Sequence, residues 1–255
     1  MTRIMKNAYK LFLLIFIAAL LQHSVAAEGE PIRVLFSGGG DWHPYGQCSG
    51  ALIDALRAKG GFICAYSEDP DSLQYQNLKQ FDVLVIYNGV FYRGDDLNQK
   101  TPTPGFIPSA ITKFVKEGGG LIVVHSGMAS FSDWEGYIDL IGGIWTWGTS
   151  AHDIYGTLKS DVIAEHPIVE GLPKSFEFQD EFYHTLNIKP AIKTLIESTH
   201  EKNGKTVTEP LAWVARETDN ERAAVILHGH DMGAWGNPIM QQLMKQAIEW
   251  GARKR

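Results

Sequence analysis

Four histidines in this chain, His43, His125, His152 and His230, stand at loop positions beside short apolar runs or in polar bends. His125 closes the run Gly118-Gly119-Gly120-Leu121-Ile122-Val123-Val124 and is followed by Ser126-Gly127. His230 lies in Leu227-His228-Gly229-His230-Asp231, just past a second apolar run. His43 follows a first strand and a glycine turn, and His152 sits in the polar segment Gly148-Thr149-Ser150-Ala151-His152-Asp153. A neutral imidazole is the commonest metal ligand and a good general base near pH 7. Any one of them alone reads more readily as a structural histidine bonded to a loop carbonyl. Four at comparable positions read as a site.

A second cluster is the acidic corner Gln179-Asp180-Glu181-Phe182-Tyr183-His184. Strand alternation turns one of two adjacent carboxylates inward. An inward carboxylate needs a metal, an arginine or a sugar hydroxyl. The alternative is an exposed turn with both acids solvated. Around these loops the aromatics gather: Trp42, Phe131, Trp134, Trp145, Trp147, Tyr183 and Trp235. Such side chains form platforms for the C–H faces of sugar rings, although core packing serves Trp134 and Trp145 equally well. His166-Pro167-Ile168 and Gly171-Leu172-Pro173 read as a loop-shaping element.

The elements that must position these residues alternate. Ile32–Ser37 is a strand, followed by Gly38-Gly39-Gly40 and a helix with apolar positions at Cys48, Ala51, Leu52, Ala55 and Leu56. Phe62–Tyr66 and Asp82–Tyr87 are the next strands, and Ile107, Ala110, Ile111, Phe114 and Val115 mark the next helix before strand Leu121–Val124. Continuous apolar strands joined through helices predict a doubly wound parallel sheet, whose ligands bind beyond the strands' carboxyl ends. The stretch from Asn88 to Pro108, rich in Pro, Gly and Asp, reads as a loop over that edge. In the second half, Ile154–Ala164, Phe176–Phe178, Phe182–Ile188, Thr194–Ser198 and Leu211–Ala215 predict antiparallel strands. Ala223–Leu227 returns to the main sheet, and Ile239–Trp250 closes the domain as an amphipathic helix.

The 255 residues, 44% of them hydrophobic, suit one α/β domain behind a leader. Arg3, Lys6 and Lys10 precede the apolar run Leu11–Leu21, and Ser24-Val25-Ala26 offers a cleavage site, so residues 1–26 read as a signal peptide and 27–255 as the domain. The expected location is periplasmic or secreted, with no stable membrane insertion after cleavage. Without the leader the basic residues fall from 23 to 20 against 29 acidic ones, a net charge of −9. That argues against nucleic acid and anionic membrane as partners. The glycine turn at residues 38–40 could cradle an anion, but it lacks the dinucleotide spacing and a P-loop lysine, so no nucleotide is expected; the simpler reading is a turn that lets backbones approach. Cys48 and Cys64 fall on a neighbouring helix and strand, which leaves a bridge and two buried thiols both open. A homo-oligomer is compatible with all of this.

The ordered set of Gly-Gly-Gly-x-x-His43, strand-His125-Ser126-Gly127 with Ser130-Phe131 and Trp134, Leu140-Ile141-Gly142-Gly143, His152, His166-Pro167-Ile168, Asp180-Glu181-x-Tyr183 and Gly229-His230 resembles the trehalose-utilisation (ThuA-like) family. The resemblance runs from about Arg33 to Trp250. It implies a three-layer, flavodoxin-like fold of the class I glutamine amidotransferase type, mostly parallel with antiparallel additions. It also implies work on trehalose, related glycosides or their keto-sugars. An amidotransferase of that fold carries a cysteine at the turn after the strand; here that turn bears His125, so a thioester route is not expected.

The expected function is an exported carbohydrate-active enzyme, metal- or histidine-dependent. A non-catalytic sugar-binding protein and a degenerate amidotransferase-like interaction module are the alternatives. The expected cofactor is a divalent metal, zinc first, held by His43, His152 and Glu181 with His230 as a substitute ligand. His125 is the expected base, and Asp180 orients a ligand or binds a hydroxyl. Trp42, Phe131, Tyr183 and Trp235 are the expected sugar contacts.

Overall fold

Two strands of this chain, β3 (Val83–Ile86) and β4 (Gly120–Val124), are buried along their whole length. That is the signature of strands covered on both faces, and it accounts for their uninterrupted aliphatic sequences. Each fully buried aliphatic side chain contributes roughly 1.5–3 kcal/mol. The computed structural model describes residues 29–91, 101–202 and 204–252, and Ile32 onward forms one compact unit. The expected leader, residues 1–26, and part of the loop expected between Asn88 and Pro108 lie outside the described residues.

β3 and β4 join β1 (Ile32–Ser37) and β2 (Phe62–Ser67) in parallel register, in the order β2-β1-β3-β4. The order reverses at β1, which has β2 on one side and β3 on the other. Helix α1 (Tyr45–Lys59) connects β1 to β2. α2 (Tyr75–Leu78) lies between β2 and β3, and α3 (Ile107–Lys116) between β3 and β4. Right-handed crossovers on either side of a reversal place their helices on opposite faces of the sheet. A crevice therefore opens between the carboxyl ends of β1 and β3.

After α4 (Tyr137–Ile141) the chain turns antiparallel. It runs through β5 (Gly143–Ile144), β6 (Ala151–His152), β7 (Gly156–Val162), β8 (Ser175–Asp180), β9 (Tyr183–His184), β10 (Asn187–Ile188), β11 (Lys193–Lys202), β12 (Lys205–Glu217) and β13 (Arg222–Ile226). β13 pairs parallel with β4. From it the sheet continues antiparallel as β13-β12-β11-β7-β8, giving nine strands among the described residues. The doubly wound sheet with antiparallel additions is thus as the sequence predicts. Two helices follow, α5 (Met232–Trp235) and α6 (Pro238–Gly251); α6 packs on β4 and touches α1.

Two elements differ from expectation. The strands expected at Thr194–Ser198 and Leu211–Ala215 are the more buried halves, away from the turn, of a long hairpin. Its outer half pairs polar residues such as Thr199 with Thr208, a pattern that core periodicity does not mark. The single strand expected over Phe182–Ile188 is broken into β9 and β10. Thr185 adopts φ +58° there, a left-handed conformation no strand can continue through. β9 then pairs with β6 and sets His152 opposite Tyr183. Among the described residues no helix is long and apolar enough to cross a membrane.

Candidate active site

The loops after β1, β3, β4 and β13 meet at the carboxyl edge of the sheet, and β8 ends beside them. Gly40, at φ +112°, lets the first two loops close on each other. A β-carbon there would stand 3.0 Å from the Gly89 carbonyl carbon, and the Gly89 N–H donates to the Gly39 carbonyl at 2.9 Å. This is the backbone approach expected of the glycine turn. It brings His43 over Tyr87 and Tyr45, with ring centroids 6.3 and 5.5 Å away.

His125 is the first residue beyond β4 and adopts φ +47°. A non-glycine residue held there costs about 1–3 kcal/mol and persists only where its surroundings impose it. They do so on both sides. Its Nδ1–H donates to the Leu227 carbonyl at 2.7 Å, and a β-carbon at Gly127 would lie 2.4 Å from the Ile86 carbonyl oxygen. His125 Nε2 stands 3.0 Å from the Tyr183 hydroxyl.

His230 is placed from below by a carboxylate. Asp180, at the end of β8, is 1% exposed. It accepts the backbone N–H groups of Glu181 at 2.8 Å, Gly229 at 2.8 Å and His230 at 3.2 Å. The Gly229 carbonyl in turn accepts from Tyr87 and from the Trp235 indole, each at 2.8 Å. Burial raises the pKa of Asp180, and these three donors work against that rise.

The result is a histidine cluster around one carboxylate. The ring of His43 lies 4.7 Å from that of His125 and 4.8 Å from that of His230. One ring nitrogen from each of the three falls within 4.8 Å of the others. Glu181 Oε2 stands 3.4 Å from His125 Nε2 and 3.1 Å from His230 Nδ1, and its Oε1 stands 3.2 Å from His152 Nδ1. Burial by itself would raise the Glu181 pKa, but the His125 and His230 rings against it hold it well below the usual carboxylate range. Burial first, and then the neighbouring rings of His125 and His230, push His43 down to about 3, so it is neutral at physiological pH. His230 is raised, chiefly by Glu181.

All four expected histidines therefore share one neighbourhood with Glu181, but not in the expected grouping. The close trio is His43, His125 and His230, with His125 in the place expected of His152. The His152 side chain is 47% exposed and meets the outer part of the cluster through Glu181 and the ring of Tyr183, 6.0 Å away. Asp180 is too deeply buried to bind a sugar hydroxyl; its carboxylate holds the backbones of Glu181 and of the loop that carries His230. Phe131 and Trp235 are fully buried and offer no face to a sugar. Phe131 packs between Phe91 and Tyr137, and Trp235 lies on Tyr87. Tyr183 is also buried, and its hydroxyl serves His125. Trp42 is half-buried. It continues through Trp147, at 5.6 Å, to Trp145, a further 6.1 Å on, and Trp145 stands 6.2 Å from His152.

One participant carried no signal in the sequence. Tyr155, whose ring is 5.0 Å from that of His230, donates its hydroxyl to Asp231 at 3.1 Å. An isolated tyrosine at a strand edge does not stand out from its neighbours. Trp145 and Trp147, two residues apart in a polar segment, could have been preferred to Phe131 on that spacing. His166 lies apart from the cluster, capping its own loop at Ile168 and contacting Glu217, as a loop-shaping residue does.

Cys48 and Cys64 are free and buried. Burial raises both thiols, Cys48 to about 11. A thiol so raised is a poor nucleophile at neutral pH. Purified protein is expected to release no ammonia from glutamine, and Cys48→Ser and Cys64→Ser are each expected to keep the wild-type activity on its own substrate. Ammonia release that either serine variant abolishes would overturn this.

Residues 33–251 match the family model described as ThuA, trehalose utilisation. No curated protein matches the chain. Among solved structures, a ThuA-like protein of Parabacteroides merdae is 21% identical with TM-score 0.70, over 88% of this chain and 90% of that one. A ThuA-like protein of Bacteroides uniformis is 19% identical with TM-score 0.68, over 88% and 93%. A glutamine amidotransferase of Thermotoga maritima is 11% identical with TM-score 0.55, over 89% and 100%. These likenesses establish the shared fold.

Proposed function

The chain belongs to the ThuA, or trehalose-utilisation, family, and on that premise we propose that it is an exported enzyme that moves protons on a glycoside or keto-sugar. The observation that carries this reading is the Glu181 carboxylate, buried and contacted by three imidazoles beneath an indole-lined rim. His152 is the group that such an arrangement equips as a base. Its Nδ1–H faces two acceptors, Glu181 Oε1 at 3.2 Å and the Asp153 carbonyl at 3.1 Å. That leaves Nε2 with its lone pair on a ring open to solvent. A carboxylate behind an imidazole orients it and stabilises the cation formed when it takes a proton.

On this reading His43, His125 and His230 face the oxygen on which charge develops, and Trp42, Trp145 and Trp147 hold the sugar ring. Trp145 Nε1 is a buried donor with no protein partner, which suits a sugar hydroxyl. The matching reaction removes a proton from the carbon beside a ketone, or assists hydrolysis of the neighbouring glycosidic bond. Export rests on the leader pattern at residues 1–26, and exported protein is expected to begin near Ala27.

The test is incubation with trehalose-type glycosides and their keto derivatives in D₂O, followed by NMR. Deuterium is expected to appear on the carbon beside the carbonyl, or the glycoside to be cleaved. Binding without exchange or cleavage would instead make the protein a sugar-binding module.

A further inference from the structure

We propose that His43, His125 and His230 form a three-imidazole site for one divalent cation of the zinc type, with Glu181 beside the open coordination position. The inference rests on the proposed reading of the site and adds to it the ion that would bind the substrate oxygen. Three observations support it.

The first is convergence. The three rings come from the ends of three separate strands, β1, β4 and β13, yet present one nitrogen each within 4.8 Å of one another. Tetrahedral zinc with Zn–N distances of about 2.0–2.1 Å places its ligand atoms roughly 3.3 Å apart, so small ring rotations close the site. The second is the state of the donors. His43 Nδ1 is buried with no hydrogen-bond partner, an arrangement that costs about 1–3 kcal/mol unless something else occupies it. His125 has its other nitrogen tied to the Leu227 carbonyl, the outer contact that fixes the tautomer of metal-binding histidines and aims Nε2 inward.

The third is the charge arrangement. Three neutral donors leave the ion's two positive charges to be balanced, and Glu181 Oε2 already lies 3.4 and 3.1 Å from two of the donor rings. Glu181 is not one of the converging set. It is placed to receive a hydroxyl or water held at the fourth position, which is the open position that distinguishes catalytic from structural zinc sites. Binding would take His125 Nε2 away from the Tyr183 hydroxyl, which now shares it at 3.0 Å. Tyr183 therefore competes with the ion, and removing its hydroxyl should favour metal.

The full chain without its leader, stripped by chelator and dialysed, is titrated with Zn²⁺ and separately with Co²⁺. One ion per chain is expected, and Co²⁺ should give the strong visible absorption of a four-coordinate site. His43→Ala and His230→Ala are each expected to weaken Zn²⁺ binding by about 100-fold or more, and His152→Ala by less than about 3-fold. Tyr183→Phe should bind about 3- to 10-fold more tightly, the equivalent of one ordinary hydrogen bond. His43→Gln, compared with wild type by circular dichroism, guards against a folding defect in the alanine variant. Absence of stoichiometric binding, or binding lost in His152→Ala and kept in His43→Ala, would overturn the site. None of these readouts uses turnover. Metal binding without sugar conversion would sink the proton-transfer reading alone, and sugar conversion by a protein that binds no metal would sink this one alone.

Discussion

Glu181→Gln is expected to lower turnover on the sugar substrate by about 10²- to 10⁴-fold, the range over which a positioned acid–base group contributes. The size of the effect follows from how many groups share this carboxylate. Its two oxygens face His125, His230 and His152 at 3.4, 3.1 and 3.2 Å. An amide cannot replace it, because one of its two positions becomes a donor. Turned toward His152, the NH₂ opposes the Nδ1–H and frees the ring to change tautomer. Turned the other way, it opposes His230. Either way the negative charge that stabilises a protonated imidazole is gone. KM should move by only a few-fold, since the aromatic rim is untouched. Steady-state kinetics decide: a kcat within about 3-fold of wild type would remove Glu181 from the chemistry.

Asp180→Ala is expected to destabilise the fold by about 3 kcal/mol or more and to abolish measurable activity. The carboxylate is 1% exposed and accepts three backbone N–H groups, two of them on the loop that carries His230 and one on Glu181 itself. Truncation leaves those donors buried without partners, at about 1–3 kcal/mol for each one that water cannot reach. Asp180→Asn keeps one acceptor oxygen and should fall between alanine and wild type. Urea denaturation measures this, read as the midpoint at unchanged slope. A shift under about 0.5 kcal/mol for the alanine variant would mean that the two loops hold their positions without Asp180.

Which parts of this protein can be read from the chain follows from the range of the interactions involved. β4 and β3 are legible because burial on both faces requires every residue to be apolar, a pattern contained within four or five consecutive positions. β13 is legible for the same reason, and so is its return to the main sheet; that it lies beside β4 is decided by the fold. The outer half of the β11–β12 hairpin is not, because it is held by pairing between polar residues rather than by a core. The break at Thr185 is not either: a left-handed threonine is imposed by its surroundings and leaves no mark in local sequence.

The same division runs through the site. The sequence by itself determined that His43, His125 and His230 would lie at the carboxyl edge, because parallel strands all end on one side and the loops after them must meet there. It determined the family, through an order of motifs spread across residues 33–251. It did not determine roles. Whether a histidine joins a trio or stands outside it depends on ring orientation, and that is set by partners far away in the chain: the Leu227 carbonyl for His125, 102 residues on, and the Asp180 carboxylate for the His230 loop, 50 residues back. His152 lies on the short strand β6, whose partner β9 is contributed from about 30 residues further along the chain. Phe131 and Trp235 could be told from Trp42 and Trp145 only by burial, because an aromatic side chain carries the same local pattern whether its face meets the core or a ligand. Strand ends converge by topology, which sequence pattern specifies; side chains converge by packing and hydrogen bonding between distant loops, which only the folded chain supplies.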